Sequence, residues 1–387
     1  MSPIRVLVVE DSAFMRLALG RLLGGAGGIE VVGSASNGAE GLKLARNLRP
    51  DVITLDVEMP ILDGLGMLKI LMRETPTRVV MLSGRTTEYA EVTLDALECG
   101  AIDFVPKPSS PNSIGIERVG DELVAKIRAA AGMSETAFLR HRQIALMGLT
   151  VPAQGAQPGD AGRPAGAATR EAPPPPRAMP GVKPAARSPR DGPATAARRL
   201  VVTASSTGGP GALQVLAQAL PAPLGAAVLV VQHMPAGFTA SLADRLARAG
   251  RLPCAEAVRN DILTEDEILV APGDVHVISS SSGRVQIVRL PPVNGVRPAV
   301  DVTLQAVAPI WRERLLCVVL TGMGVDGREG CRAVKLHGGT VIAQDAATAT
   351  INGMPAAVVE AGLADQILPL PEIASSIAAW CLAGPPA

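Results

Sequence analysis

The 387 residues are more than one hydrophobic core usually organises, so two or three domains are expected. Lys plus Arg and Asp plus Glu both number 36, and this zero formal balance argues against a phosphate-backbone partner, so no nucleic acid is expected. Although 48% of the residues are hydrophobic, apolar runs such as Val228 to Val231 are strand-sized, which speaks against a bilayer-spanning helix and direct membrane insertion.

Met1-Ser2-Pro3 leads at once into a strand pattern, without a basic segment and an apolar signal core, so a cytoplasmic location is expected. Cys99, Cys254, Cys317, Cys331 and Cys381 are scattered, odd in number and without chelating spacing, as reduced core residues would be. The first ~130 residues alternate two patterns. Strands are expected at Ile4–Val9, Val31–Ala35, Val52–Leu55, Val79–Leu82 and Phe104–Val105, with helices from Ser12, from Gly38, near Leu65–Met72, near Glu88–Glu98 and at the end. Near-continuous apolar strands separated by helices predict a five-stranded parallel sheet covered on both faces, of flavodoxin-like order.

Acidic and basic residues of this segment fall where strands end. Glu10-Asp11 follows the first strand, Asp56 the third and Ser83 the fourth, and Lys107-Pro108 closely follows the fifth. Turn-forming acids at strand ends are individually common, but five such residues in register are not. Three carboxylates at one sheet edge repel one another unless a hard cation sits among them, and Mg²⁺ suits that donor set. With Lys107, it would neutralise a phosphoryl group transferred to Asp56. Val9-Glu10-Asp11-Ser12, Leu55-Asp56-Val57-Glu58-Met59-Pro60 with Asp63-Gly64, Ser83, and Phe104-Val105-Pro106-Lys107-Pro108 together resemble the receiver domain of bacterial response regulators. The resemblance implies that Asp56 is the phosphoacceptor, that Glu10 and Asp11 help to hold Mg²⁺, and that Ser83, Phe104 and Lys107 form the switch. Glu10 stands where many receivers carry aspartate, a longer side chain able to reach the metal through water.

Met133 to Thr150 is compatible with an extension of the last helix, but Val151 to Arg198 is rich in Pro, Ala, Gly and Arg, with four successive prolines from Pro173 to Pro176. Such a composition buries too little apolar surface to offset chain entropy and predicts a tether. The expected division is residues 1–132, a linker over 133–198, and a second domain over 199–387. Alternation resumes in that domain, with strands at Leu200–Thr203, Ala227–Val231, Ile268–Val270, Val275–Ile278, Val285–Val288, Leu315–Leu320 and Thr340–Ile342. Helices are expected near Gly211–Ala219, Thr239–Arg248, Val302–Trp311 and Arg328–Leu336. The pattern predicts a second doubly wound, mostly parallel α/β domain, interrupted by a hairpin entered through Ser279 to Gly283.

The stretch from Leu200 to Pro210 reads as a strand ending on Ser205-Ser206-Thr207, a turn through Gly208-Gly209, and a helix begun by Pro210. Serine hydroxyls at the carboxyl end of such a strand, beside a helix N-terminus, are candidate nucleophiles; an anion-cradling loop or a plain capped turn is the alternative. Of the four histidines, His233 lies at a strand end where Pro235 blocks helix formation. His337 reads as a helix C-terminal dipole partner, His276 alternates within a strand, and His141 is near the tether. In Leu320-Thr321-Gly322-Met323-Gly324-Val325-Asp326-Gly327, Asp326 is placed to accept the Nδ1–H of His233 and to stabilise the imidazolium formed as Ser206 loses its proton. The N–H groups of Thr207 and Met323 would form an oxyanion hole, and such a triad needs no cofactor. The order Ser, His, Asp and the missing G-x-S-x-G elbow imply no standard hydrolase fold.

Ser206-Thr207-Gly208-Gly209, Gln232-His233-Met234-Pro235-Ala236-Gly237-Phe238, Ala271-Pro272-Gly273-Asp274-Val275-His276, Pro292-Val293-Asn294 with Arg297-Pro298 and Val300-Asp301, the Leu320 to Gly327 run, and Gly353-Met354-Pro355 resemble the catalytic domain of chemotaxis protein-glutamate methylesterases. That resemblance implies a Ser206, His233, Asp326 triad acting on γ-glutamyl methyl esters of methylated chemoreceptors, with release of methanol and with deamidation of receptor glutamines. It also implies a chemotaxis-type histidine kinase as phosphodonor and activation by phosphorylation, in sensory adaptation. Ser205, where the family often has alanine, adds a rival hydroxyl, and Val325 replaces a frequent polar residue. A receiver joined to a DNA-binding output and a non-catalytic adaptor are the other classes; residues 200–387 lack a compact basic helical module.

Overall fold

The computed structural model describes residues 2–84, 86–107, 113–148 and 195–383. The N-terminal domain runs β1 (Ile4–Val9), α1 (Ala13–Gly25), β2 (Ile29–Ala35), α2 (Gly38–Leu48), β3 (Val52–Asp56), α3 (Gly64–Glu74), β4 (Arg78–Ser83), α4 (Thr87–Glu98), β5 (Asp103–Pro106) and α5 (Ser113–Ala131). Its sheet has the order β2-β1-β3-β4-β5 with every pair parallel, as the apolar strands required. Three helices begin on a side-chain cap, in which Ser12, Asn37 and Asp63 accept the N–H of Met15, Glu40 and Gly66. Because β1 and β3 are neighbours, Glu10, Asp11 and Asp56 reach the same edge.

A separate helix, α6 (Glu135–Gly148), follows rather than a continuation of α5; the chain breaks at Gly132 to Ser134, where Ser134 Oγ accepts the N–H of Ala137. Phe138 of α6 is buried in the N-terminal core beneath the Arg78 guanidinium, 5.0 Å above its ring. The expected tether from Val151 onward lies outside the described residues as far as residue 194, as does Pro108.

The C-terminal domain runs β6 (Leu200–Ser205), α7 (Gly209–Ala219), β7 (Ala227–Gln232), α8 (Phe238–Ala249), β8 (Cys254–Glu256), β9 (Glu267–Val270), β10 (His276–Ser279), β11 (Val285–Val288), α9 (Val300–Trp311), β12 (Leu315–Val319), α10 (Arg328–Leu336), β13 (Thr340–Gln344), α11 (Met354–Glu360), β14 (Gln366–Leu368) and α12 (Leu370–Leu382). Seven strands pair in parallel in the order β14-β13-β12-β6-β7-β9-β8, and β10 and β11 form the expected separate antiparallel hairpin. The chain leaves β6 toward β7 on one side and returns with β12 on the other. The carboxyl ends of these three strands therefore flank a topological switch point, where α/β sheets bind ligands.

Period-two alternation divides the core. Val201, Val228, Val230, Leu316 and Val318 face α7, α8 and α12, whereas Val202, Leu229, Val231, Cys317 and Val319 face α9, α10 and α11. The first of these layers is continuous with the core of the N-terminal domain, whose α4 packs on α7 and α8. No disulfide joins any of the five cysteines, and Cys99, Cys317 and Cys331 are buried. No helix among the described residues is long and apolar enough to cross a membrane.

Candidate active site and phosphoacceptor site

At the end of β3, Asp56 is 3% exposed, and Lys107 Nζ lies 2.6 Å from its Oδ2 and 2.9 Å from Glu10 Oε2. Ligand atoms of Glu10, Asp11 and Asp56 all lie within 4.8 Å of one another, and the Lys107 ammonium pairs with only two of them, Glu10 and Asp56. That charge excess and the all-oxygen donor set fit a hard divalent cation such as Mg²⁺. Burial raises the Asp56 carboxyl to about 7, against the Lys107 ammonium and with help from Glu10. Ser83 Oγ lies 2.5 Å from Thr93 Oγ1. Phe104 stacks on Phe238 of the C-terminal domain, with centroids 4.7 Å apart and planes inclined by 16°.

In the second domain the two adjacent serines separate as neighbours on a strand must. Ser205 is fully buried and donates to Gln232 Oε1 at 2.6 Å, whereas Ser206 is partly exposed beyond the end of β6. Gln232 Nε2 donates to the carbonyls of Ser206 (2.9 Å) and His233 (3.1 Å), so one buried amide holds these two strand ends together. Gly208, at a φ of +77°, caps α7, and Pro210 occupies the second helical position rather than the first.

His233 meets Asp326 at 2.8 Å through Nε2. The expectation of an Nδ1 contact is thus corrected. The imidazole is carried by the residue after β7, whose N–H donates to Ser205 O at 3.0 Å, and this approach turns Nε2 toward the loop after β12. Ser206 and His233 are not hydrogen-bonded to each other, a separation common in unliganded triads. Burial pushes the Asp326 carboxyl up, but the hydrogen bond and charge of His233 and the N–H groups of Val300 (2.6 Å) and Asp301 (3.2 Å) prevail and hold it below its usual value. Asp301 is shifted the other way, by burial first and by the neighbouring Asp326 charge.

The loop after β12 lies directly on the serine. Ser206 N–H donates to Thr321 O (3.0 Å), Thr321 Oγ1 donates to Thr207 O (2.9 Å), and the Gly322 carbonyl accepts from Gly353 and Met354. A Cβ at Gly322 would stand 2.9 Å from Ser206 Cβ and collide with Met354 Sδ. Gly322→Ala is therefore expected to displace Ser206 and lower kcat by up to ~100-fold with the fold retained, since a 1 Å misplacement can cost that much; steady-state rates with circular dichroism check it.

The remaining histidines are accounted for locally. His337 Nδ1 lies 2.9 Å from Ala333 O at the end of α10, and His276 is fully buried between Pro291 O and Ala299 N. His141, on α6, bridges the domains, with Nε2 3.1 Å from Ala101 O and Nδ1 3.1 Å from Thr350 Oγ1; burial depresses its pKa and favours the neutral ring. Other junction contacts converge on the same edge. Thr207 Oγ1 donates to Asp103, which also lies 3.3 Å from Lys126 Nζ. Arg245 of α8 reaches Asp95 (2.6 Å) and Glu98 (2.8 Å) of α4.

Residues 6–116 match the response regulator receiver domain and residues 201–377 the CheB methylesterase description. Over 385 residues the chain is 46% identical to the protein-glutamate methylesterase/protein-glutamine glutaminase of Symbiobacterium thermophilum, covering 97% of this chain and 96% of that one. The chain belongs to the CheB methylesterase family. The Pyrococcus abyssi relative of the same name is 39% identical, with 97% and 92% covered. The solved catalytic domain of Thermotoga maritima CheB methylesterase is 42% identical, covering 47% of this chain and 97% of that one, at a TM-score of 0.46. Within this CheB-family chain, sequence reasoning offered Ser206, His233 and Asp326 as candidates, which the fold brings to one sheet edge, but assigned no part to Gln232, Asp103, His141 or Arg245. Gln232 adjoins His233 and Asp103 adjoins Phe104, so proximity to a motif was the available signal; His141 and Arg245 offered none.

Proposed function

We propose that this CheB-family esterase hydrolyses γ-glutamyl methyl esters on methylated chemoreceptors, with Ser206 as nucleophile, His233 as base and Asp326 as its orienting acid. The observation that carries this reading is the 2.8 Å His233–Asp326 contact, beside Ser206 at the switch point of the sheet. His233 takes the Ser206 proton as Oγ attacks the ester carbonyl, and the N–H groups of Thr207 and Met323 receive the developing oxyanion. Collapse of the tetrahedral species expels methoxide, which takes the proton from His233 and leaves as methanol. Water, deprotonated by His233, then cleaves the acyl-enzyme to glutamate. A receptor glutamine would pass through the same acyl-enzyme, releasing ammonia.

Purified chain incubated with methyl-labelled receptor membranes should release volatile methanol, more so with a small-molecule phosphodonor and Mg²⁺. Absence of release from methylated receptor under both conditions would sink the reading.

Control follows from the junction. Glu10, Asp11 and Asp56 would hold Mg²⁺, which supplies positive charge for a phosphoryl group on Asp56 donated by a chemotaxis-type histidine kinase. Repacking of Ser83 and Phe104 would break the Phe104–Phe238 stack and free Thr207 from Asp103. Arg245→Glu places a carboxylate against Asp95 and Glu98, and truncating or reversing a largely buried charge at an interface costs enough to shift the docked population by about tenfold or more. Its methanol release without phosphodonor is expected to rise by a comparable factor, as is that of a fragment beginning near Ala197, while Asp56→Asn stays low and unresponsive. Unchanged basal rates in both the Arg245 variant and the fragment would instead assign phosphorylation to receptor docking.

A further inference from the structure

Asp326 and Asp301 form a reciprocal pair. Asp326, just ahead of α10, accepts the first N–H groups of α9, from Val300 and Asp301. Asp301, in the first turn of α9, accepts the N–H of Gly327 (2.9 Å) and Gly330 (2.7 Å) at the start of α10. Asp326 thus caps the helix that carries Asp301, Asp301 caps the helix that follows Asp326, and the positive ends of both helices favour the ionised forms. They are only 2% and 5% exposed, and among the described residues neither meets a lysine or arginine. Burial, with the neighbouring Asp326 charge, holds the Asp301 carboxyl above its usual value, so the two carboxylates repel each other unless a donor is shared.

Asn294 supplies that donor. Its Nδ2 lies 3.0 Å from Asp301 Oδ2 and 3.1 Å from Asp326 Oδ1, and among the described side chains it alone donates to both. The amide is presented by a two-residue Asn294-Gly295 turn, closed by hydrogen bonds between Val293 and Val296, with φ of +53° and +78°. The surrounding loop is anchored at both ends by His276, through Pro291 O and Ala299 N, and Arg297 is braced on Asp274 and on Leu290 O. A fixed loop therefore holds a single amide between the triad acid and its buried neighbour.

We infer that Asn294 is a positioning residue for the esterase, holding Asp301 and Asp326 at one separation and thereby holding Asp326 on the imidazole of His233. This rests on the triad assignment above. The groups facing the amide are Asp301 at the head of α9 and Asp326 ahead of α10, with His233 beyond Asp326; on its own loop the Arg297 guanidinium turns away to Asp274.

The test compares Asn294→Gly, Asn294→Asp and Asp326→Asn in the full chain, with phosphodonor, Mg²⁺ and methylated receptor. Glycine and aspartate both accept the left-handed backbone at this turn, so the changes fall on the amide. For Asn294→Gly, kcat should fall by about tenfold or more, toward the ~100-fold that a 1 Å displacement can cost, with KM little changed. Asn294→Asp should be slower still at about pH 8, and its kcat relative to the parent should rise toward about pH 6, as the new acid gains a proton and again offers a donor. A merely structural turn would give no such pH trend. If Asn294→Gly keeps the parent kcat within about twofold, or the Asn294→Asp ratio is flat with pH, while Asp326→Asn is slow, this inference is wrong and the triad stands. If Asp326→Asn itself keeps the parent rate, the triad assignment falls, and this inference falls with it.

Discussion

Ser206→Ala is expected to abolish methanol release, with a loss approaching the ~10⁶-fold in kcat seen when a serine hydrolase loses its nucleophile. The neighbouring hydroxyl cannot substitute. Ser205 is fully buried, and its Oγ is committed to Gln232 at 2.6 Å on the inner side of the strand end. Ser205→Ala should therefore leave turnover measurable. Its cost comes from a Gln232 oxygen deprived of its donor, which loosens the amide that holds the Ser206 and His233 carbonyls. Rapid-quench detection of the acyl-enzyme separates the two, since only the Ser205 variant should still form it. A dead Ser205→Ala beside an active Ser206→Ala would show that the reactive register lies one residue earlier.

The second large effect is Asp326→Asn, expected to lower kcat by about 10⁴-fold, as when a triad imidazole is left in the wrong tautomer. The substitution preserves volume, and the amide oxygen still accepts from the N-terminus of α9, so the fold should persist. What changes is the atom offered to His233 Nε2, which faces either an amide N–H or an oxygen already engaged by Val300. Protein stability gives an independent readout. The Asp326 carboxyl is held below its usual value, so its contribution to folding is present above the ordinary carboxylate range and is lost as pH falls through the lowered value. Asp326→Asn should lack that acid-side loss. Rates within tenfold of the parent would remove Asp326 from the triad.

The parallel sheets were legible because their strands are nearly continuous apolar runs, as at Ile4–Val9, whereas Val285–Val288 was legible from the turn that enters its hairpin. Failures have physical causes. β8 and β14 span three residues each, too few for a period to register, and α11, with seven residues, is barely two turns long. Ser206 and His233 stood out because each directly follows a strand, and Asp326 because it stands at the head of a helix behind a glycine-rich loop. The ring nitrogen that meets Asp326 was not legible, because it depends on the path of the main chain after β7. His141 carried no local signal, since its two partners lie 40 and 209 residues away in sequence.

The hydrogen bond from Thr207 to Asp103 gives the docked receiver a kinetic character. Thr207 adjoins Ser206, and in the proposed chemistry its N–H receives the oxyanion while its hydroxyl is held by the receiver, so docking is expected to compete with receptor for this strand end. The receiver is then a competitive inhibitor carried on the same chain, and its local concentration does not fall when the enzyme is diluted. Inhibition of this kind raises the apparent KM by a factor of one plus the docking constant and leaves kcat intact. Densely clustered methyl esters would therefore overcome it by mass action, and phosphorylation would matter most where methylated sites are sparse.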